Sequence, residues 1–396
     1  MPTPVRALEA ALAEDLARLD AAALRRDLHP IDSASDTEVL IDGRPYLLLS
    51  SNNYLGLATH PAVRAAARHA IERYGCGTGA SRLISGHLDL HAAVEAKLAA
   101  FKGTEAALLF PSGYQANVGT ITALVGRGDH VYSDALNHAS IIDGCRLSRA
   151  SVHVYPHRNV RALEAELAAT SPGGRRLIVT DSVFSMDGDR TPLAALTALA
   201  EQYHSWLMVD EAHATGVLGP RGAGLAAAEG LGDRVDVHLG TLGKALGSAG
   251  AYVAGSRALV EWLVNRARSF VYTTGLAPAA AAAAGAALDI VVTEPERREA
   301  LARNAARLRD GLSALGFAVG GDTQIIPVAI GDNRPALRLA EGLRARGVLA
   351  QAIRPPTVPE GTARLRVTPM ATHTEAQLDR VLAAFADAGR ATGVLR

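Results

Sequence analysis

The stretch Trp206-Leu207-Met208-Val209-Asp210-Glu211-Ala212-His213 decides the fold of this chain. It is a short apolar run that ends in two carboxylates and a histidine. The run Gly240-Thr241-Leu242-Gly243-Lys244-Ala245-Leu246-Gly247 follows, with Lys244 lying 34 positions after Asp210. A short apolar run without alternation is typical of a strand in a helix-covered parallel sheet, where ligands lie beyond the carboxyl ends of the strands. We therefore predict that Asp210, His213 and Lys244 share one ligand site.

The chemistry of these three residues predicts bound pyridoxal 5'-phosphate. A lysine among small residues can carry this cofactor as a Schiff base, and a strand-end aspartate can hold the pyridine nitrogen protonated, so that the ring withdraws electrons. His213 is placed to reach the ring oxygen. Each residue alone has an ordinary explanation, such as a helix cap or a surface lysine. Their combination favours the cofactor site.

Further short apolar runs alternate with helical patterns from Pro61 to about Ser256. The predicted strands are residues 107–110, 130–132, 152–155, 177–180, 207–209 and 251–254. This alternation predicts an α/β fold with a mainly parallel sheet. Helices at 297–315, 335–346 and 374–388 with strands at 325–330 and 363–367 predict a smaller α+β domain. We expect an N-terminal helix and hairpin arm (1–55), a large cofactor-binding domain (56–292) and a small C-terminal domain (293–396).

Candidate phosphate and ring contacts follow other predicted strands. Ser112 and Gly113 lie between a strand and a helix, where backbone N–H groups and the helix dipole can receive a phosphate. Thr241 can add a hydroxyl to the same phosphate, and Thr273-Thr274 can do so from another subunit. Helix capping is the alternative for these hydroxyls. His138 opens another predicted helix and can stack on a flat ring, although a lone histidine there is more often structural.

The composition narrows the function classes. Forty Lys plus Arg balance forty Asp plus Glu, so no global field attracts nucleic acid or an anionic membrane. The N-terminal stretch 1–28 reads as an amphipathic helix rather than a signal peptide, and the stretch 276–292 is too weakly apolar for a membrane span. We expect a cytoplasmic protein without a metal site, whose Cys76 and Cys145 are both buried and reduced.

These motifs resemble those of the α-oxoamine synthases, fold-type I pyridoxal phosphate enzymes with an aspartate aminotransferase-like fold, over nearly the whole chain. The matching stretches, in the family's order, are Ser51-Asn52-Asn53-Tyr54-Leu55-Gly56-Leu57, Gly77-Thr78-Gly79, Ser133-Asp134-Ala135-Leu136-Asn137-His138-Ala139-Ser140, Val183-Phe184-Ser185-Met186-Asp187-Gly188-Asp189 and Asp210-Glu211-Ala212-His213. One departure is Glu211, where many members have a second aspartate. The resemblance implies a homodimer with sites at the subunit interface.

The resemblance also implies a role for each matching residue. Lys244 would hold the cofactor and act as base, Asp210 would face the pyridinium, and His138 would stack on the ring and hydrogen-bond the thioester or keto-acid. The other implied cofactor contacts are Ser185 and His213 at the oxygen side of the ring, and Gly113, Tyr114 and Thr241 around the phosphate. The implied substrate contacts are Arg25 and Thr357, with Asn52 and Arg366 for an amino-acid carboxylate.

Within the family, two branches fit the chain. The stretch Ala352-Ile353-Arg354-Pro355-Pro356-Thr357-Val358-Pro359 resembles the biotin-pathway branch, which implies L-alanine and a pimeloyl thioester on CoA or a carrier protein. The stretches 133–144 and 240–247 fit equally well the branch that joins glycine to acetyl-CoA. A transaminase or decarboxylase on the same fold, and a catalytically silent partner subunit, are the alternatives outside these branches.

Overall fold

The computed structural model describes residues 4–171 and 173–395, so the first three residues of the predicted N-terminal helix (1–28) lie outside the described residues. The density of internal contacts divides these residues into two compact units. The large unit comprises Asn52–Arg303 and Met370–Thr372, and the small unit comprises the remainder. The domain boundaries predicted at residues 55 and 292 stay predictions.

The strands in chain order are β1 Glu38–Ile41, β2 Arg44–Leu48, β3 Ala106–Phe110, β4 His130–Asp134, β5 Ser151–Tyr155, β6 Arg176–Asp181, β7 Trp206–Asp210, β8 Val237–Thr241, β9 Ala251–Gly255, β10 Ala318–Val319, β11 Ile326–Gly331, β12 Val348–Leu349, β13 Gln351–Ile353 and β14 Ala363–Val367. The helices are α1 Pro4–Ala21, α2 Pro61–Tyr74, α3 Asp89–Lys102, α4 Gly113–Leu124, α5 Ala139–Ser148, α6 Val160–Ala169, α7 Leu193–Gln202, α8 Leu225–Ala228, α9 Arg257–Arg266, α10 Arg268–Val271, α11 Pro278–Thr293, α12 Glu296–Ala314, α13 Asn333–Arg344 and α14 Glu375–Thr392. Two short 3-10 segments are Pro220–Gly222 and Gly232–Arg234.

The large unit is built on one seven-stranded sheet with the order β3-β9-β8-β7-β6-β4-β5. Strand β9 runs antiparallel to both of its neighbours, and the other described pairings of this sheet are parallel. The predicted mainly parallel sheet is therefore confirmed. In this register Asp181, at the end of β6, pairs with Asp210, at the end of β7.

The central strands of this sheet are buried, as expected for continuous apolar runs. Leu207, Met208 and Val209 of β7 are fully buried, and Met208 shares one apolar core with residues of α4 and α5. Helix α11, which contains most of the alanine-rich stretch 276–292, packs against α2 and α3. Among the described residues, no helix combines the length and the apolar character that crossing a membrane requires.

The small unit contains two small sheets, with the orders β1-β2-β12 and β10-β11-β14-β13. Its core includes Leu47, Leu308, Leu339, Leu365 and Phe385, which come from β2, α12, α13, β14 and α14. Helix α14 begins with a capping box between Thr374 and Gln377, which satisfies backbone donors that a helix start otherwise leaves free.

The two cysteines differ, and this corrects the expectation that both are buried. Cys145 is buried on α5, and burial raises the pKa of its thiol to about 12. Cys76 is exposed in the loop after α2. The Gly75-Cys76-Gly77 surroundings explain the error, because a loop between glycines offers no neighbouring apolar residues to cover the thiol.

A fully buried ion pair lies beneath the end of β7. Lys102 ends α3, and its ammonium group contacts the Glu211 carboxylate and the Ala223 carbonyl, with both side chains almost inaccessible to solvent. Glu211 also accepts from the backbone N–H of Ala226 at 3.0 Å and lies 3.5 Å from Nδ1 of His238. Burial acts to raise the pKa of Glu211, but Lys102 and His238 outweigh burial and hold that pKa at about 2.

Replacing Lys102 with methionine is expected to lower the free energy of unfolding by about 3–5 kcal/mol, because it strands the Glu211 charge in the interior. Urea unfolding, followed by circular dichroism, measures the change. The matched control is Lys97→Met, since Lys97 forms an exposed pair with Asp289 at 2.7 Å and such pairs contribute less than about 1 kcal/mol. Equal losses in the two variants would contradict the assignment.

Candidate active site

The buried carboxylate of Asp210 lies at the end of β7 and is held on both oxygens. Its Oδ1 accepts from the backbone N–H of Ala212 at 2.9 Å, and its Oδ2 accepts from the side-chain amide of Asn117 at 2.8 Å. Asn117 reaches it from α4 and is itself 1% exposed. A carboxylate held in this way presents a fixed negative charge at the edge of the sheet.

Lys244 and His213 are brought together by the loops that follow β8 and β7. The lysine Nζ lies 3.0 Å from His213 Nε2, and the Tyr54 hydroxyl lies 2.7 Å from His213 Nδ1. Tyr54 is fully buried and also donates to the side-chain oxygen of Asn52 at 3.1 Å. The amine of Lys244 is therefore oriented by a histidine whose other nitrogen is fixed by a buried tyrosine.

His138 caps the start of α5, as its position before a predicted helix suggested. Its backbone N–H donates to Asp181 Oδ2 at 2.7 Å, and its ring Nδ1 lies 2.7 Å from the Ser140 hydroxyl. Burial lowers the pKa of His138, with Asp210 opposing this shift and Lys244 adding to it. The ring is therefore neutral at physiological pH.

Asp181 is the second carboxyl at this edge. Burial is the main cause that raises its pKa well above the usual range, and the neighbouring charge of Asp210 raises it further. The His138 backbone N–H and Lys244 oppose these effects. Two buried carboxyls at the ends of adjacent strands disfavour each other's negative charge, and this adds to the effect of burial on the pKa of Asp181.

The start of α4 forms a second group of predicted residues. Ser112 caps this helix by accepting from the Gln115 N–H at 3.2 Å. A side chain at Gly113 would place its Cβ 2.8 Å from Cγ2 of Thr241, so only glycine allows this close approach. Gln115 Nε2 donates to Thr273 Oγ1 at 3.3 Å. The structure thus brings Ser112, Gly113, Thr241 and Thr273 to one end of one helix.

Three further predicted residues make contacts outside this group, although Tyr114 is the second residue of α4 and Thr274 follows Thr273. The Tyr114 hydroxyl donates to Asp143 at 2.7 Å and is half exposed. Thr274 forms an isolated bridge with Ser81. Ser185 lies in the loop after β6, which is closed by a bridge between Val183 and Arg190. The expectation that Thr273 and Thr274 act from another subunit stays a prediction.

The predicted substrate residues Arg25, Thr357 and Arg366 belong to the small unit. Arg25 pairs with Asp20 at 2.9 Å, and the Thr357 hydroxyl accepts from Arg26 at 3.1 Å. Arg25 and Arg26 line a cavity of about 690 Å³ within this unit, together with Arg344 and Arg354. Arg366 is buried on β14.

Several residues that build the site were not singled out from the sequence. Tyr54 and Ser140 lie inside stretches that resemble family motifs, so the motif match by itself marks both as candidate site residues. No such signal marks Asn117 or Lys102, because these residues lie within helices, 93 and 109 positions before the carboxylates that they contact. Only the packing of those helices against the sheet shows their roles.

The residues present fit pyridoxal phosphate. Lys244 supplies the amine, Asp210 supplies a fixed negative charge for a pyridinium nitrogen, and the start of α4 presents backbone N–H groups and the helix dipole to a phosphate. Because Gly113 has no side chain, the side chain of Thr241 packs directly against the start of the helix. This donor set matches the chemical groups of the cofactor.

The ring of His157 connects the end of β4 to the loop that carries Ser185. His157 Nδ1 lies 2.9 Å from Asp134, and its Nε2 lies 3.0 Å from Asp189. Its ring also packs edge-on against Phe184, with 4.3 Å between ring centroids. Burial acts to lower the pKa of His157, but the hydrogen bonds and charges of Asp134 and Asp189 outweigh it and raise that pKa to about 9.

The model of the aminotransferase class I and II family matches residues 44–385. An 8-amino-7-oxononanoate synthase of Geobacter sulfurreducens is 54% identical over 387 residues, which are 97% of this chain and 99% of that protein. One from Anaeromyxobacter dehalogenans is 57% identical over 373 residues, or 94% of each protein.

Solved structures give the same result for the fold. A serine palmitoyltransferase from S. paucimobilis, solved with PLP and myriocin, has a TM-score of 0.94 and 35% identity, with both chains covered completely. An 8-amino-7-oxononanoate synthase from Francisella tularensis has a TM-score of 0.75 and 27% identity, covering 87% of this chain and 98% of that one. The predicted fold-type I arrangement is confirmed.

The contacts of His157 with Asp134 and Asp189 are expected to make the free energy of unfolding depend on pH. The pKa of His157 is raised in the folded chain, so the stabilisation from these contacts is complete below the unfolded value of about 6.5. It is lost as pH rises through about 9. The urea midpoint of the wild type should exceed that of His157→Gln at pH 6, and the difference should shrink by pH 9.5. The exposed His69→Gln on α2 serves as control, and a pH-independent difference would contradict the prediction.

Proposed function

The chain belongs to the aminotransferase class I and II family and, within it, to the α-oxoamine synthases, and on this premise we propose that it condenses L-alanine with a pimeloyl thioester. The products are 8-amino-7-oxononanoate, carbon dioxide and the free thiol, in a step of biotin biosynthesis. The observation that carries this choice of substrates is the identity of 54% and 57%, over nearly the full length, to 8-amino-7-oxononanoate synthases.

The cofactor is pyridoxal 5'-phosphate. When bound, it supplies a protonated pyridine ring that accepts the electron pair left on the amino-acid α-carbon. We assign Lys244 to hold it, Asp210 to keep its ring nitrogen protonated, and His138 to lie against its ring. The other proposed contacts are Ser185 and His213 at its oxygen side and Ser112, Gly113, Tyr114, Thr241, Thr273 and Thr274 around its phosphate.

Lys244, His213 and His138 are assigned the proton transfers and hydrogen bonds of the reaction. The amine of Lys244 removes the α-proton of alanine as general base, and His213, 3.0 Å away, orients that amine. A carbon–carbon bond forms between the α-carbon and the thioester carbonyl carbon as the thiolate leaves. The alanine carboxylate is lost as carbon dioxide, and the proton held by Lys244 returns to the same carbon. His138 hydrogen-bonds the acyl oxygen during these steps.

The substrates require anion-binding groups as well. A pimeloyl chain ends in a free carboxylate, and we assign its recognition to Arg25 and Thr357 in the small unit. The cavity that Arg25 lines also carries Arg26, Arg344 and Arg354, and these four arginines outnumber its two acidic residues, Asp27 and Glu341, which supports an anionic ligand. Asn52 and Arg366 are proposed to hold the alanine carboxylate.

We infer further that the active form is a cytoplasmic homodimer. The exposure of four leucines on α1 supports this, since such a stripe on one helix favours coverage by another chain. These leucines are Leu8, Leu12, Leu16 and Leu19.

Thiol release by the cofactor-loaded protein tests the proposed reaction. Alanine with pimeloyl-CoA should release thiol faster than glycine with acetyl-CoA at matched concentrations, and mass spectrometry should detect 8-amino-7-oxononanoate. Preference for the second pair would move the protein to the glycine branch. Amino-group transfer to a keto acid without any thioester would instead indicate a transaminase.

The control for this assay is Lys244→Ala, which removes the proposed base and cofactor link. We expect it to abolish turnover and the visible absorbance of the loaded protein. Steady turnover by Lys244→Ala would overturn the role given to this lysine, and a colourless wild type that releases no thiol would favour a silent subunit.

Arg25→Gln tests the assignment of the acyl carboxylate. Losing one charge-assisted hydrogen bond, worth about 1.5–3 kcal/mol, should raise KM for pimeloyl-CoA about tenfold or more while KM for alanine stays unchanged. Steady-state kinetics with one substrate varied at a time measures both. Arg18→Gln is the matched control, because Arg18 is an exposed arginine of α1. An equal change in both KM values would contradict the assignment.

A further inference from the structure

A continuous chain of side-chain hydrogen bonds joins Asp210 to the ring of His138. Asp210 Oδ2 lies 2.8 Å from Asn117 Nδ2, and the same nitrogen lies 2.9 Å from the Ser140 hydroxyl. That hydroxyl lies 2.7 Å from His138 Nδ1. Asn117 is 1% exposed and Ser140 is fully buried, so water does not compete for these bonds. The chain runs between the carboxylate at the end of β7 and the histidine that begins α5.

The negative charge of Asp210 sets the direction of every bond in this chain. An ionised carboxylate only accepts hydrogen bonds, so the amide of Asn117 must turn its NH2 group toward Asp210. The second hydrogen of that NH2 group then donates to the Ser140 oxygen. This orientation also explains why the buried Asn117 Oδ1 has no hydrogen-bond partner among the described residues.

The hydrogen bond from Asn117 to Ser140 also determines which proton the imidazole of His138 carries. Because the Ser140 oxygen accepts from Asn117, its own hydrogen is directed to His138 Nδ1 at 2.7 Å. The backbone N–H of Ser140 also points to Nδ1, at 3.2 Å. A nitrogen that accepts from two donors carries a lone pair and no proton. The proton of the neutral ring is therefore on Nε2.

We propose that Asn117 and Ser140 are positioning residues that hold His138 in the neutral tautomer with its proton on Nε2. In this state Nε2 is a hydrogen-bond donor, as stabilising charge on an acyl oxygen requires. The opposite tautomer would present a lone pair to that oxygen and repel it. The identity of the acceptor rests on the proposed function, whereas the tautomer follows from the hydrogen bonds alone.

The charged groups around His138 agree with a neutral ring. Lys244 disfavours a second proton on it and Asp210 favours one, while burial of the ring is the largest influence and disfavours the cation. Asp181 contacts the His138 backbone N–H at 2.7 Å. Burial and the neighbouring Asp210 raise the pKa of Asp181, which weakens the support that its carboxyl would give to an imidazolium.

Nitrogen NMR of the holoenzyme labelled with [15N]histidine measures the tautomer directly, with His138→Gln used to assign the signal. We expect the wild-type ring to carry its proton on Nε2. Ser140→Ala should shift the ring toward a mixture of tautomers, and Ser140→Thr should restore the wild-type form, because threonine keeps the hydroxyl. A wild-type ring protonated on Nδ1, or a tautomer unchanged in Ser140→Ala, would overturn the inference.

The matched control is Ser133→Ala. Ser133 is also a buried serine whose oxygen accepts from an asparagine amide, that of Asn137 at 2.9 Å. Through Asp181, Asn137 is linked to the backbone N–H of His138, whereas Ser140 contacts the imidazole itself. Ser133→Ala should leave the His138 signal unchanged. A change in both variants would show a general structural effect and would overturn the assigned relay.

Kinetics add a second readout. Ser140→Ala should lower kcat about tenfold or more, as a part of the ~10²–10³ that one hydrogen-bond donor to a developing oxyanion contributes, with KM for alanine little changed. Ser140→Thr should recover most of the loss. If the wild type shows the Nε2–H tautomer but releases no thiol, the proposed function fails and the positioning role stands. If the enzyme releases thiol but its His138 ring is protonated on Nδ1, the positioning role alone is overturned.

Discussion

The buried negative charge of Asp210 is the constraint on which the arrangement of the site depends. A carboxylate at 4% exposure is costly unless hydrogen bonds and nearby charges compensate it. Here the Ala212 N–H and the Asn117 amide hold its two oxygens, and its charge adds to the effect of burial in raising the pKa of the adjacent Asp181. The same charge orients Asn117 and, through it, Ser140 and His138. One carboxylate thereby organises groups from three elements.

A second buried carboxylate, that of Glu211, anchors the turn that follows Asp210. Glu211 follows Asp210 directly, yet its side chain turns into the core to meet Lys102 of α3. The extra methylene of glutamate, where many α-oxoamine synthases have aspartate, is accommodated by this partner and by Gly224, where a Cβ would lie 2.3 Å from the Glu211 carboxylate. The turn from Asp210 to His213 is thus anchored between a strand and a buried lysine. The same turn carries His213, whose Nε2 lies 3.0 Å from Nζ of Lys244.

The parallel order of the strands explains why chemistry gathers at one edge. Adjacent parallel strands end side by side, so residues far apart in sequence, such as Asp181 and Asp210, become neighbours. The sheet, its strands and the terminal residues were predicted from apolar runs alone, because buried parallel strands have few polar interruptions. Strand β8 was missed because His238 interrupts its apolar run. The burial of Cys76 was predicted wrongly because composition does not show whether a loop has a neighbour to cover it.

By itself, the sequence determined the α/β class, the strand ends that carry Asp210 and Lys244, and the family motifs that point to the cofactor. These features are local, since each depends on residue types within one short stretch. Only the tertiary structure decided which helical side chains complete the site. Asn117 and Lys102 meet their carboxylates across 93 and 109 positions, and nothing in their own helices marks them. Partners of a buried charge are chosen by packing, and packing is a property of the folded chain.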